Sequence, residues 1–303
     1  MAGLDGLLLI DKPTGPTSAE VVRILKKALQ VKKIGHLGTL DPFASGLLPI
    51  CLGAGTKLSQ FLMAEQKSYT GTLQLGVETD TLDSTGTVTR TAPVPDCPPT
   101  LLKKIEQRFS GDYWQTPPMY SALKRKGVPL YKLARQGIEV EREPRRVHVS
   151  HLALTLGEPH AIHFSVSCSK GTYIRVLAAD IGRALNSVAH LARLRRTAFG
   201  TFSIDQAIPL SQARSPQPGQ PLPLLSLVQA TRSYRTFVVP APEVALIRRG
   251  QQAVLQTLPA ARAAGETARI LSAECALIAM VTAEERAWKL TRVFELYTGK
   301  TAC

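Results

Sequence analysis

Cysteine and histidine, which often bind metals, are sparse and scattered in this sequence of 303 residues. The five cysteines include no C-x-x-C pair, which argues against a zinc ribbon and against a disulfide framework. Four of the six histidines form two pairs three positions apart in strand-like patterns, so the members of each pair point to opposite faces. The sequence therefore predicts no metal site, and its cysteine usage is typical of a reducing cytoplasm.

Long hydrophobic runs are also missing. The apolar run in GLLLID, near the start, is far shorter than the roughly 20 residues of a transmembrane helix, and acidic residues follow at once. We expect no signal peptide, no membrane span and a cytoplasmic location. The segment LGAGTK, residues 52–57, lacks the GK[ST] ending of a phosphate-binding loop and is predicted to be a plain turn.

Positive charge, in contrast, is abundant and unevenly placed. The formal net charge is +14, and residues 120–234 hold sixteen Lys and Arg against six Asp and Glu. No amphipathic basic helix or lipidation motif accompanies this excess, so nucleic acid is a better candidate partner than a membrane. A solvated basic surface without such a partner is the alternative that charge alone leaves open.

Hydrophobic periodicity predicts a mixture of helices and strands. The segment TSAEVVRILKKAL begins with a capping box, Thr17 with Glu20, and is predicted to be a helix, as is TYIRVLAADIGRAL. Apolar residues alternate with polar ones in SYTGTLQLGVETD, VHVSHLALTL and AIHFSVSCS, a pattern that predicts strands. Because the elements show no regular βαβ repeat, the predicted fold class is α+β.

Composition divides the chain into three predicted regions. A main domain spans residues 1–208, and a linker rich in proline follows at residues 209–233. Short apolar runs separated by turns predict a small β-rich domain at residues 234–303.

One acidic residue, Asp41, has an unusual setting. In GHLGTLDPFASGLLP, residues 35–49, glycines and prolines allow a tight loop around Asp41, and Leu40 and Phe43 can shield its side chain from water. A carboxylate in such a loop is either a nucleophile or an Asx residue that caps the turn. These residues alone leave both interpretations open.

This stretch resembles the catalytic motif of the TruB family of tRNA pseudouridine synthases, which is roughly G-H-x-G-T/A-L-D-P-x-A-x-G-x-L-P. Four further segments match the family in order: LLLIDKPTGPTS, KSYTGTLQLGVETDTLDSTG, PPMYSALKRKGVPLYKLARQGIEVEREPRRV and CSKGTYIRVLAADIG. The C-terminal segments IRRGQQAV and WKLTRVF resemble the PUA RNA-binding domain of the family. The resemblance implies a mixed, largely antiparallel sheet with flanking helices, followed by a small β-rich PUA-like domain.

The resemblance also implies catalytic roles for three residues. Asp41 matches the catalytic aspartate, and Tyr69 matches the tyrosine that stacks on the target base. Arg175 matches the arginine that pairs with the catalytic carboxylate, a two-pronged contact expected to lower the pKa of Asp41. The family detaches uracil at N1, rotates it and rejoins it through C5, a reaction for which no cofactor is implied.

Further residues match positions that hold RNA in this family. His36 matches a histidine that lies against the flipped nucleotide, Tyr173 matches a pocket residue, and Lys12 belongs to a Lys-Pro motif that either supports the pocket or contacts substrate. An insertion at about residues 120–146 reaches into the T-loop of tRNA in the family. Its basic residues would contact phosphates: Lys124, Arg125, Lys126, Arg145 and Arg146.

We therefore predict a monomeric tRNA pseudouridine synthase that modifies uridine 55 of the T-loop without a guide RNA and touches the acceptor end with its PUA-like domain. An RNA-binding or tRNA-folding protein without catalysis is one alternative. A guide-dependent synthase subunit is another, although such relatives lack the insertion. The sequence leaves open whether Asp41 attacks the ribose C1′ or the uracil C6, or instead stabilises charge.

Overall fold

The computed structural model describes residues 4–125, 127–157, 159–215 and 221–295. In these residues the strands are β1 (Gly6–Lys12), β2 (Ile34–His36), β3 (Ser45–Leu52), β4 (Lys67–Leu75), β5 (Val77–Thr79), β6 (Val88–Thr91), β7 (Gly111–Gln115), β8 (Lys124–Arg125), β9 (Val128–Pro129), β10 (Arg145–Leu156), β11 (Ala161–Cys168), β12 (Ala189–Phe199), β13 (Phe202–Ser203), β14 (Ile208–Pro209), β15 (Leu224–Leu225), β16 (Arg235–Val239), β17 (Thr267–Ser272), β18 (Leu277–Glu284) and β19 (Ala287–Val293). The helices are α1 (Ser18–Ala28), α2 (Ser59–Leu62), α3 (Pro99–Phe109), α4 (Leu130–Ala134), α5 (Ile174–Ala184), α6 (Leu210–Arg214), α7 (Leu227–Ala230) and α8 (Ala241–Arg248).

A sheet of eleven strands organises the larger part of the described chain. Its main path runs β14-β1-β3-β12-β4-β11-β10-β7, and β2, β13 and β15 pair alongside this path. Neighbouring strands are antiparallel except for β1 with β14 and β3 with β12. With the separate C-terminal sheet described below, this arrangement confirms the predicted α+β class and the largely antiparallel main sheet.

Strand β1, second in this order, is buried on both faces, which explains its continuous apolar sequence. Leu8 and Ile10 pack in a core with α1, α3 and α5 on one side of the sheet. Leu7 and Leu9 pack in a second core on the other side, which also contains residues of the C-terminal sheet. The second core therefore joins the two sheets through apolar contacts.

Two predicted helices are confirmed with their structural signals. Helix α1 begins after Thr17, whose hydroxyl accepts a hydrogen bond from the Glu20 amide at 3.1 Å, while the Glu20 carboxylate accepts one from the Thr17 amide at 2.8 Å. Helix α5 buries the predicted apolar face, and Leu185 follows as its C-cap. The predicted strand SYTGTLQLGVETD is interrupted at Gly76, where φ is +87° and β4 gives way to β5.

The predicted linker at residues 209–233 differs from the structure. In its described part, β14 and β15 pair with β1, and Leu210 and Ala213 of α6 pack in the first core. Proline does not exclude regular structure here, because Pro209 is the N-cap of α6 and interrupts no hydrogen bond within the helix. Most of the segment therefore belongs to the main sheet and its covering layer.

The C-terminal part forms a separate sheet of four strands in the order β16-β17-β18-β19. Helix α8 and the sheet enclose a third core, where Phe237 and Trp288 meet edge to face with ring centroids 5.4 Å apart. This sheet confirms the predicted β-rich C-terminal region. Among the helices of the described residues, none is both long and apolar enough to cross a membrane.

Gly46 offers a direct test of the contact between β3 and β12. It has φ of +104°, and a Cβ atom there would clash with the backbone oxygen of Arg196 and lie 2.7 Å from its nitrogen. Gly15 has φ of +106° but open space around it, so it is the matched control for backbone strain. We expect Gly46→Ala to lower the free energy of unfolding by about 2 kcal/mol more than Gly15→Ala, as measured by urea denaturation. Equal losses would show that β3 and β12 separate at little cost.

Candidate active site

The loop carrying Asp41 connects β2 to β3 and is fixed by hydrogen bonds from several directions. Ser18, the first residue of α1, donates to the Leu40 carbonyl at 3.0 Å and accepts from the Leu40 amide at 2.9 Å. The Asp41 backbone carbonyl accepts from the Ala44 amide at 3.1 Å and so closes the turn. Because the backbone of Asp41 closes the turn, its carboxylate is not needed as a cap. Of the two interpretations that the sequence left open, a nucleophile or a turn cap, the structure therefore favours the nucleophile.

Lys12 lies beneath this loop with none of its surface exposed. Its ammonium donates to the carbonyl oxygens of Pro13 and Ala44, both at 2.8 Å, and to that of Pro42 at 3.4 Å. Burial lowers the pKa of Lys12 to about 8, against the attraction of Asp41. These contacts fit the supporting role that the sequence left open for Lys12 and give no support to the predicted contact with substrate.

Arg175 on α5 forms an ion pair with Asp41, in which its Nε lies 2.9 Å from Oδ2. The same Nε lies 3.6 Å from Oδ2 of Asp83, while Nη1 and Nη2 donate to the carbonyls of Thr81 and Tyr120 at 2.9 and 2.8 Å. Arg175 therefore contacts Asp41 through Nε alone, whereas contacts through two nitrogen atoms were expected. Because every arm of the guanidinium has a partner, Arg175 is held in a fixed orientation.

The pKa of the Asp41 carboxyl is raised above its ordinary value, contrary to the expected lowering. Burial is the main cause, and the negative charge of Asp83 adds to it. Arg175 and Lys12 act in the expected downward direction but do not outweigh these two effects. The protein thus holds a carboxylate that is less stable as an anion, and more reactive, than one in water.

Asp41 opens into a cavity of about 650 Å³ at the ends of β4, β11 and β12. The Asp41 side chain is 36% exposed, while that of Arg175 behind it is only 6% exposed. Tyr69 on β4 and Tyr173, the residue before α5, line the same cavity. The volume is within the range of about 300–1,000 Å³ that is typical of small-ligand sites and is large enough for one extruded base.

Basic residues surround this cavity. Arg145 and Arg146 from the start of β10, which were predicted to contact phosphates, line it together with Lys170. Lys124 and Arg125 lie on the exposed two-stranded sheet of β8 and β9 and are not among the lining residues. Lys126 lies outside the described residues. His36 is half-buried on β2, outside the cavity lining, and burial lowers its pKa.

Sequence reasoning missed four charged residues of the site: Asp83, Lys67, Lys170 and Arg196. Asp83 is buried, and its carboxylate accepts hydrogen bonds from Thr81 and Thr85 while it faces Arg175. Lys67 lines the cavity, and its ammonium donates to the Met63 carbonyl at 2.8 Å. Arg196 also lines the cavity and is 1% exposed. Strand alternation counted from the buried Leu191 would place Arg195 inward and Arg196 outward, so the sequence contains no direct signal for Arg196.

Sequence comparisons agree with this geometry. The model for the TruB family of pseudouridylate synthases, N-terminal domain, matches residues 26–174. A protein of Bordetella avium named tRNA pseudouridine synthase B is 51% identical over 209 residues, covering 68% of this chain and 86% of that protein. Its namesake from Burkholderia pseudomallei is 44% identical and covers 93% of this chain and 94% of its own length.

Solved structures extend the similarity to the C-terminal sheet. A chain from the crystal structure of a Cbf5-Nop10-Gar1 complex has a TM-score of 0.73 and 26% sequence identity, covering 96% of this chain and 85% of that one. A chain from an archaeal box H/ACA sRNP Nop10-Cbf5 complex has the same fold, with a TM-score of 0.72 and 23% identity. The main sheet and the C-terminal sheet therefore share the fold of these solved chains.

The buried ammonium of Lys12 predicts a specific dependence of stability on pH. Its folded pKa of about 8 is below the ordinary value of 10.5, so between these values the unfolded chain binds more protons and stability rises with pH. Relative to a Lys12→Met variant, the free energy of unfolding of the wild type should increase by up to about 3 kcal/mol from pH 8 to 10.5. Urea denaturation at a series of pH values measures this, with Lys104→Met as an exposed control. A difference that stays constant with pH would contradict the burial of a charged Lys12.

Proposed function

The chain belongs to the TruB family of pseudouridylate synthases, and from this premise we propose that it converts uridine 55 in the T-loop of tRNA to pseudouridine. The observation that carries the proposal is the Asp41–Arg175 pair at the mouth of a cavity lined by Tyr69. A base inside a helical stem or a stacked loop cannot reach a recessed carboxylate, so the target uridine must be extruded into the cavity.

The reaction needs a negative charge, an enclosed space and a proton acceptor. The partly exposed carboxylate of Asp41 supplies the charge at the reacting nucleoside when the bond between N1 and C1′ breaks. The cavity retains the detached uracil while it rotates and forms the bond between C5 and C1′. Tyr69 lies on the wall where its ring can stack on the base and its phenol can take up the C5 proton.

We propose that the chain recognises tRNA with its own basic residues and needs no guide RNA. Arg145, Arg146 and Lys170 surround the cavity, and Lys124 and Arg125 extend this charge onto the exposed insertion. Relatives that are 44% and 51% identical are named tRNA pseudouridine synthase B, whereas the Cbf5 chain is only 26% identical. The C-terminal sheet would contact the acceptor end of the same tRNA, and the protein would act as a monomer in the cytoplasm.

Pseudouridine mapping on tRNA transcripts treated with the purified protein tests the assignment. A transcript with cytidine at position 55 is the matched control, and it should remain unmodified. Modification of other uridines with position 55 left intact would contradict the proposed target. No modification of any tRNA by the folded protein would contradict the proposed activity itself.

Asp41→Asn should reduce the single-turnover rate of pseudouridine formation by at least about a thousandfold. The amide keeps the shape of the side chain but lacks the negative charge, so the dissociation constant for tRNA should change by less than about threefold. Asp96→Asn, which removes a charge from an exposed loop, is the control and should behave like the wild type. Rapid modification by Asp41→Asn would remove this residue from the mechanism.

The double substitution Lys124→Ala and Arg125→Ala should weaken the binding of every tRNA to a similar degree. If each residue contacts one phosphate, the slope of log affinity against log salt should decrease by about 0.7–0.9 for each lost contact. Filter binding at several salt concentrations measures this slope. Lys103→Ala with Lys104→Ala removes the same charge from α3 and is the control. The same change of slope in both double variants would point to general charge and not to a contact by the insertion.

A further inference from the structure

Arg196 is a buried cation whose contacts in the described residues include no carboxylate. Its Nε donates to the Leu47 carbonyl at 2.6 Å, and Nη2 donates to the Gly38 carbonyl at 3.0 Å. By contrast, Arg175 pairs with Asp41, and Arg195 next to Arg196 pairs with Asp11 through two contacts of 3.0 and 2.7 Å. A buried ion without a counter-charge costs several kcal/mol, so this position calls for an explanation beyond packing.

The phenol of Tyr69 is the ionisable partner that Arg196 does have. In the antiparallel pairing of β4 with β12, Tyr69 lies directly opposite Arg196, which places both side chains on one face of the sheet. The charge of the guanidinium acts on this phenol and favours its ionised form. Both residues line the cavity that holds Asp41. Arg196 therefore links the backbone of the Asp41 loop, at Gly38, to the wall residue Tyr69.

We propose that Arg196 is a positioning residue that holds the Tyr69 phenol in the cavity and stabilises its ionised form during removal of the C5 proton. This inference rests on the proposed function. When C5 has bonded to C1′, the C5–H bond breaks, its electron pair returns to the uracil ring, and the proton moves to the phenolate oxygen of Tyr69. The phenol then releases that proton and N1 takes one up, so the net change moves one hydrogen from C5 to N1.

The electrostatic surroundings of Tyr69 agree with this role. Burial raises the pKa of the phenol, and the nearby Cys168 on β11 and Asp41 on its loop raise it further. Arg196 on β12 lowers the pKa of Tyr69 chiefly by its charge, whereas Lys67 on β4 itself directs its ammonium to backbone carbonyls. Without Arg196, the effects that remain on the phenol of Tyr69, namely burial, Cys168 and Asp41, would all oppose its ionisation.

A titration of Tyr69 tests the coupling without relying on catalysis. The full chain is labelled with 3-fluorotyrosine, and the ¹⁹F signal that disappears in Tyr69→Phe identifies the residue. In Arg196→Met the midpoint of this signal should move up by at least about one pH unit, because the positive charge opposite the phenol is lost. Arg196→Lys should give a smaller shift. Arg195→Met, the same substitution at the neighbouring residue that pairs with Asp11, should leave the midpoint unchanged.

Single-turnover kinetics with tRNA provide the second measurement. Arg196→Met should lower the rate at neutral pH by about a hundredfold and change the tRNA affinity little. In a plot of rate against pH, the rise of the rate on the alkaline side should move to higher pH. An unchanged Tyr69 midpoint together with an equal loss of rate at every pH would overturn the proposal and leave Arg196 as a support for the loop. If Arg196→Met does not fold, Arg196→Lys decides by the same criteria. A wild type without any synthase activity would instead refute the proposed function, while the titration would still judge the coupling.

Discussion

Two buried cations hold the carbonyl oxygens of the Asp41 loop, and the rest of the site depends on this constraint. A tight loop with glycine at positive φ leaves carbonyl groups that cannot pair within a helix or a sheet. In this loop Lys12 binds the oxygens of Pro42 and Ala44, of which Pro42 also accepts from the Gly15 amide, and Arg196 binds that of Gly38. Replacing either cation by an apolar residue would leave buried acceptors unpaired, each at a cost of about 1–3 kcal/mol. These hydrogen bonds therefore stabilise the conformation of the loop that presents Asp41.

This support frees the carboxylate of Asp41 for chemistry. Its backbone closes the turn, and its side chain shares one guanidinium with the more deeply buried Asp83. Burial disfavours the anion of Asp41, and the neighbouring carboxylate of Asp83 repels it, which explains why the pKa of Asp41 rises although it has an ion pair. Arg175 thus orients Asp41 more than it stabilises its charge. A carboxylate with a fixed orientation and a weakly stabilised anion suits this role, because its negative charge must act on the reacting nucleoside.

Local signals predicted much of the fold, but they could not identify all the charged residues of the site. The capping box of α1 and the apolar face of α5 are complete within a few neighbouring residues, so the sequence alone sufficed for them. In β12 the register shifts between Leu191 and Arg193, and this bulge decides that Arg196 faces the cavity while Arg195 faces outward. Simple alternation cannot locate a bulge. Asp83 was missed for a related reason, since an acidic residue in a Thr-rich turn gives no sign of a distant arginine partner.

The residues of the site come from distant parts of the chain, and this topology has consequences for interpreting variants. The site residues lie on separate elements: Lys12 on β1, Tyr69 on β4, Arg175 on α5 and Arg196 on β12. The three strands come close together only in the complete sheet, where β3 and β4 flank β12. No local segment can assemble the site, so its geometry forms together with the long-range contacts of the main sheet. A substitution that separates β3 from β12 would therefore displace Arg196 from both the Asp41 loop and Tyr69. Loss of activity in such a variant reports on the sheet, whereas a displaced titration of Tyr69 in a folded Arg196 variant reports on the chemistry of the site.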